Sequence, residues 1–273
     1  MAKLPTQNTT AEFEESRDYV QSLARGLSVL RAFDSDHTHL SLAEIAQRAQ
    51  LSRAVARRLV LTLEHLGYVR QVGRTFALSP RVLEFGFGYL GTLNISDLAQ
   101  PLLEDLARRI DQSCSMAVLD GQSVIYVLRV PGRRVMTVSL GIGARLPAAA
   151  TSMGRVLLAG LPEAQLAAWL AECQPVRHTR HTVTDKKKLG QMIEQVRMER
   201  FAYVEQELEL GLCSLAVPVR NAEGRVAVAI NTSMPYHPDV ARKARTVLLP
   251  ELQRTAEAVE ACLIRNPLPA VSL

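Results

Sequence analysis

LSLAEIAQRAQLSRAVARRLVLTLEHLGYVRQVGRTFAL, Leu40 to Leu78, decides the fold of the first part of the chain. Ser41 is a good helix N-cap, and Glu44 three residues on completes a capping box. Leu42, Ile45, Ala46 and Ala49 then mark one helical face. Ser52 opens a second helix, in which Val55, Leu59, Thr62, Leu63 and Leu66 recur at spacings of three and four. Gly67 ends it, because a residue just past a helix often needs a left-handed backbone. Tyr68–Val72 and Thr75–Leu78 flank Gly73-Arg74, a length that suits a tight hairpin. Helix, turn, helix and hairpin is the layout of a winged helix-turn-helix.

The charges agree. From Arg48 to Arg81 there are seven arginines (Arg48, Arg53, Arg57, Arg58, Arg70, Arg74 and Arg81) against one acid, Glu64, whereas the whole chain carries only +5. A positive field concentrated on one element is the footprint of a DNA-binding surface. Ser52, Arg53, Ala54, Arg57 and Arg58 avoid the apolar face of the second helix and sit near its N-terminus, where recognition helices read bases. Arginine can pair bidentately with guanine, and all basic residues can hold phosphates. The predicted DNA-binding set is Ser41, Ser52, Arg53, Ala54, Arg57, Arg58, Arg70 and Arg74, the last at the hairpin tip for the DNA backbone. A solvated arginine-rich face is the plain alternative. The cap, turn, glycine stop and hairpin together favour DNA.

At 273 residues, with 48% apolar and 22% charged residues, the chain can build two cores. Its pI near 9.2 is mildly basic, which suits a sequence-specific regulator better than a general DNA coat. Cys114, Cys173, Cys213 and Cys262 lack metal-ligand spacing and read as reduced thiols of a cytoplasmic protein without metal or cofactor. The N-terminus has no apolar signal segment, and no run is long enough to span a membrane.

The expected organisation is a disordered tail over 1–18, a winged-helix domain over 19–79, a linker and dimerisation helix over 80–94, and an effector-binding domain over 95–273. Val20, Leu23, Ala24, Leu27, Leu30 and Phe33 form the stripe of a first helix. Val82, Leu83, Phe85, Phe87, Tyr89 and Leu90 are too apolar for a solvated linker, and a second chain or the next domain should cover them. Beyond residue 95 the chain alternates helices with β-rich segments: Ser115–Asp120, Ser123–Val130, Val135–Leu140, Ser214–Arg220 and Arg225–Ser233. An α+β domain with a central antiparallel sheet is the simplest architecture.

Within that domain Thr151 can cap a helix after a small-residue approach. The backbone N–H groups of Ser152, Met153 and Gly154 would then converge on one spot, backed by the helix dipole. That suits a carboxylate, with Gly154 permitting close approach. An ordinary capped helix is the competing reading.

Four stretches, SLARGLSVLRAF, RLPAAATSMGRVLLA, VEQELELGLCSLAVPV and GRVAVAINTSM, resemble the IclR family of transcriptional regulators. The likeness covers nearly all of the chain after residue 18. Within the family the chain is similar to the branch that controls aromatic-acid breakdown through the β-ketoadipate pathway. The resemblance implies a winged-helix domain, a linker helix and a GAF-like effector domain, assembled as a homodimer or a dimer of dimers. It implies double-stranded operator DNA as partner, and RNA polymerase if the protein activates. The implied effector is a small carboxylic acid of the 4-hydroxybenzoate, protocatechuate or β-ketoadipate type. Carried over by position, the effector set is Val138, Thr151, Ser152, Met153, Gly154, Glu205, Ser214, Asn231 and Ser233. Ser214 stands where the founding member has cysteine.

Other readings stay open: the same family with an unrelated acid, a DNA-binding protein indifferent to small molecules, or an enzyme with an appended helix-turn-helix. The last is poorly supported. No catalytic motif appears. His178 and His181 lie in a segment that reads as a surface loop, and Glu205, Glu207 and Glu209 read as a solvated or hinge-facing run.

Overall fold

A computed structural model describes residues 13–34, 36–86, 95–132 and 141–265. The chain divides into two compact units between residues 89 and 90.

The first unit holds α1 (Gln21–Arg31), α2 (Leu42–Arg48), α3 (Arg53–His65) and a hairpin of β1 (Val69–Val72) and β2 (Thr75–Leu78). Val72 pairs with Thr75 across Gly73-Arg74, and Gly73 takes a positive φ of 62°, which glycine adopts without strain. Leu40 joins the hairpin through its N–H and C=O to Phe76, at 2.9 and 2.7 Å. Val29, Ala32, Phe33, Leu40, Ile45, Val60, Leu63 and Val69 make the core.

Two predicted stripes differ from the buried faces. In α3 the buried residues are Ala56, Val60 and Leu63, while Val55 is half-buried and Leu66 exposed. Both registers satisfy a three-four spacing, and small Ala56 lets the neighbouring helices approach, so size decided where period could not. In α1 only the C-terminal part of the stripe is buried: Val20, Leu23 and Leu27 are exposed. Residues 13–18, expected to lack structure, form a turn in which the Phe13 ring meets Tyr19 edge-on at 6.0 Å. The expected 80–94 linker begins as a single turn of 3-10 helix, Pro80–Val82, and residues 87–94 lie outside the described residues.

The second unit is built on an antiparallel sheet in the order β5-β4-β3-β8-β7-β6. Its strands are β3 (Ser113–Asp120), β4 (Ser123–Val130), β5 (Arg145–Pro147), β6 (Ala202–Glu205), β7 (Leu212–Arg220) and β8 (Val226–Pro235). Its helices are α4 (Ile95–Ile110), α5 (Ser152–Ala159), α6 (Glu163–Glu172), α7 (Lys186–Glu199), α8 (Val240–Lys243) and α9 (Leu249–Arg265), with a π-turn joining the last two. β5 and β6 were not expected, since three and four residues are too short to show a period. The expected strand Val135–Leu140 lies outside the described residues.

Strand alternation gives each face of the sheet its own chemistry. Cys114, Met116, Leu215, Val217, Val228 and Ile230 face one way and form a core with α4 and α9. Ala117, Ala216 and Ala229 face the other way, toward α5, α6 and α7. Alanine there leaves room for α5 to lie close on the sheet. One irregularity interrupts β4: Leu128 pairs with Met116, but Tyr126 pairs with Ala117, so Val127 is an extra residue in a β-bulge. Val127 and Leu128 both join the α4–α9 core.

Candidate functional site

In the first unit the hydroxyls near the expected DNA surface are engaged as caps. Ser41 accepts from the Glu44 amide and its own N–H donates to the Glu44 carboxylate at 2.7 Å, which holds that carboxyl below its ordinary range. Ser52 accepts from the Val55 amide at 3.4 Å. The arginines divide into two groups. Arg48 donates to the Ala32 carbonyl at 2.6 Å and to the Asp34 carboxylate, tying α2 to the end of α1. Arg81 donates to the Leu66 carbonyl at 2.9 Å and stacks over Tyr68. Arg53, Arg57, Arg58, Arg70 and Arg74 are exposed and, among the described residues, their side chains make no hydrogen bond or ion pair. Ala54 is exposed between them. A cap at each helix start and five uncommitted guanidinium groups are what a phosphate and base-edge surface requires.

The second unit contains a cavity of about 350 Å³, a size that suits a small organic ligand. It lies between the first turn of α5 and the polar ends of β3, β7 and β8, with residues 207–212 along another wall. The strand register builds the floor: Ser233 lies between Ser113 and Ser214, and Asn231 lies between Ser115 and Ala216. Ser113, Ser214, Asn231 and Ser233 line the cavity, and the Asn231 amide approaches the Ser233 hydroxyl at 3.5 Å. Alternation puts all of them on the α5 face. β8 is central in the sheet and Asn231 is buried, so these are not edge residues facing water.

At the start of α5, Thr151 accepts from the Gly154 amide at 3.2 Å and donates to the Pro147 carbonyl at 3.2 Å. The Gly154 N–H is therefore satisfied. Ser152 and Met153 supply the remaining amides of the first turn, which a helix cannot satisfy internally. The Ser152 hydroxyl is buried and has no hydrogen-bond partner among the described residues. Arg197 closes the far end of α5, donating to the Ala159 and Leu161 carbonyls at 2.9 and 2.8 Å.

Arg155, 2% exposed, pairs with Glu207, 6% exposed, at 2.7 Å. Glu207 also accepts from the Val183 amide at 3.0 Å, and its carbonyl accepts from Thr182. The pair ties α5 to the cavity wall.

Comparison with known proteins places these features together. Residues 22–73 match the IclR helix-turn-helix domain, and residues 87–261 match the bacterial transcriptional regulator IclR C-terminal family. The chain belongs to the IclR family of transcriptional regulators. It is 40% identical to the Pca regulon regulatory protein of Pseudomonas putida, over 81% of this chain and 76% of that one. It is 36% identical to the p-hydroxybenzoate hydroxylase transcriptional activator of Acinetobacter baylyi, over 81% and 84% of the two chains. The crystal structure of an IclR homolog from Microbacterium hydrocarbonoxydans, complexed with 4-hydroxybenzoate, superposes with a TM-score of 0.77 at 26% identity, covering 90% of this chain and 99% of that one. As an IclR-family member the chain is a DNA-binding transcriptional regulator with an α+β C-terminal domain, the class its sequence suggested.

Several expected effector residues need correction in this IclR-family domain. Glu205 is not on the cavity wall. β6 turns Ala202 into the α5 core and Val204 into the cavity, so Glu205 lies on the opposite face, where Tyr203 donates to it at 2.8 Å. Glu207, read as solvated or hinge-facing, is the buried acid of this stretch. Gly154 does not line the cavity either. A Cβ there would sit 2.1 Å from the Ala148 carbonyl oxygen, so the close approach it permits is to the preceding turn. Val138 lies outside the described residues. Thr151, Ser152, Met153, Ser214, Asn231 and Ser233 all line the cavity.

Sequence reasoning missed Tyr126 and Arg129, which also line it. Burial pushes the Tyr126 phenol up to about 12, with the charge of Arg129 pulling it back, so it remains a neutral donor. Burial likewise pushes the Cys114 thiol up to about 12. His178 and His181 are exposed on a loop and do not line the cavity. Among the described residues no helix is long and apolar enough to cross a membrane.

Proposed function

We propose that this IclR-family regulator reads double-stranded operator DNA with α3 and the β1–β2 wing, and that a small aromatic or keto carboxylic acid in the cavity controls it. The observation that carries the effector reading is the start of α5. Two first-turn amides, on Ser152 and Met153, and the buried Ser152 hydroxyl, which has no partner among the described residues, line one end of a small-molecule cavity. An unmet buried hydroxyl costs about 1–3 kcal/mol, which a ligand oxygen would recover. A carboxylate also gains from the positive helix end. The polar floor of Ser214, Asn231 and Ser233 would hold the ligand's hydroxyl or keto oxygen. The names of the Pseudomonas and Acinetobacter relatives and the 4-hydroxybenzoate bound to the Microbacterium homolog support an acid of the 4-hydroxybenzoate, protocatechuate or β-ketoadipate type, with target genes of aromatic-acid breakdown.

The regulator works as a homodimer or dimer of dimers, and contacts RNA polymerase if it activates. Leu83 and Phe85, both exposed, belong to the apolar stretch that a second copy would cover. Light scattering at micromolar protein should give at least a dimer; a monomer refutes this.

The test of the effector site is calorimetry with the three acids on wild type and Ser152→Pro. Proline is tolerated at the first helical position, so the variant removes one donor and the hydroxyl while keeping the helix. At least one acid should bind wild type and lose tenfold or more in the variant, with operator affinity changed less than about twofold. Undiminished acid binding by Ser152→Pro would show that the carboxylate sits elsewhere.

A further inference from the structure

The bulge in β4 changes what the cavity can recognise. In a regular strand Tyr126 and Arg129, three residues apart, would face opposite sides of the sheet. The extra residue Val127 turns Arg129 to the same face as Tyr126, opposite Ser115 on β3, while Tyr126 lies opposite Ala117. Bulges beside binding sites commonly re-aim one side chain in this way. Both residues line the cavity.

Arg129 is half-buried and, among the described residues, forms no ion pair or hydrogen bond. The other base near this wall, Arg155, is committed to Glu207. The other acids on the wall, Asp111 and Glu209, are exposed and form no ion pair with Arg129. The Tyr126 hydroxyl likewise has no hydrogen-bond partner among the described residues. Arg129 reaches the cavity from β4, a different element from the first turn of α5. Ala117 packs in the core beneath α5, and Ser115, opposite Arg129, is two residues further along the strand, about 7 Å.

The geometry points to Arg129 as a second anion anchor, so that the cavity selects a ligand with two acid groups: one carboxylate on the first turn of α5 and the other on the Arg129 guanidinium, with Tyr126 donating beside it. A neutral hydroxyl would leave the half-buried charge uncompensated, whereas a carboxylate matches the planar guanidinium fork. Asn231 and Ser233 would then contact the middle of the ligand. The inference rests on the proposed acid site at α5, and adds which acids that site prefers.

Calorimetry on the full-length protein tests it with two matched pairs, adipate against hexanoate and terephthalate against benzoate. In wild type the diacid of at least one pair should bind tenfold or more tighter than its monoacid. Arg129→Gln should abolish that preference and leave the monoacid within about twofold. Arg129→Lys, which keeps the charge without the fork, should retain part of it and guards against misfolding in the glutamine variant. Equal affinity of monoacid and diacid in wild type overturns the inference. So does an equal loss for both in Arg129→Gln, which would put the arginine on the shared carboxylate. Monoacid binding that Ser152→Pro removes, without any diacid preference, sinks the second anchor and spares the α5 site. Failure of all four acids to bind counts against both.

Discussion

α3 and α5 begin alike and end up with opposite tasks. A hydroxyl caps each, Ser52 to the Val55 amide and Thr151 to the Gly154 amide. At the start of α3, Arg53, Ala54, Arg57 and Arg58 are exposed, and among the described residues the three arginine side chains are uncommitted. The first turn of α5 is buried on all sides, and the arginine that follows, Arg155, is locked to Glu207. On the proposed function, the same local chemistry would serve a long, water-covered polyanion in one place and a small anion in the other. Exposed charges act at long range and weaken with salt. Fixed amides on a cavity wall act only on what enters the cavity, and need no mobile charge. Which task a capped helix performs is set by what covers it.

The largest effect expected from breaking this contrast is on the buried side. Glu207→Ala leaves Arg155 buried without its partner, which should cost about 3–5 kcal/mol by chemical denaturation. Replacing both residues with apolar ones of similar size should recover much of that. A loss under about 1 kcal/mol in the single variant would mean that water reaches the pair. Gly154→Ala is next: the new methyl group meets the Ala148 backbone, and about 1–3 kcal/mol of stability should be lost. A silent Gly154→Ala would show that α5 can lift off the preceding turn.

On the exposed side the same kind of change should move binding and spare folding. Arg57→Ala should lose about 1–3 kcal/mol on the cognate operator and relax preference at one base position. Equal losses on cognate and random DNA would reduce Arg57 to a phosphate contact. Arg74→Ala, at the wing tip, should weaken all sequences alike. Arg48→Ala sharpens the contrast, because its guanidinium holds the end of α1: it should lower the melting midpoint of the first unit more than Arg57→Ala does. The smallest effect is that of Ser52→Ala, about 1 kcal/mol of stability for a lost cap, read by thermal unfolding.

Much of the first unit was legible because short helices, caps and a glycine-bearing hairpin leave local signatures. The rotation of the α3 stripe was not, since Val55/Leu59/Thr62/Leu63/Leu66 and Ala56/Val60/Leu63 fit the same spacing, share Leu63, and are separated only by packing against α1 and α2. In the second unit the cap at Thr151 and the alternation of Asn231 and Ser233 were visible, because both are local. Glu205 was misplaced by carrying a position across without its strand phase: β6 is short, and a shift of one residue changes the face. Arg129 was invisible for the converse reason. Its orientation depends on a bulge defined only when β4 pairs with β3, and no property of the sequence around Val127 marks it. Arg155 and Glu207 lie 52 positions apart, and only the fold brings them into contact.

The central claim is that an acid at the start of α5 and operator DNA at α3 act on one equilibrium. If so, each must change the other's affinity by the same factor, whatever path carries the coupling. The direct measurement is a closed cycle on the wild-type protein: acid affinity with and without saturating operator, and operator affinity with and without saturating acid. The account predicts two equal factors of about 5-fold or more in the same direction, both abolished in Ser152→Pro. An acid that binds in the cavity with the same affinity whether or not operator is present would contradict it.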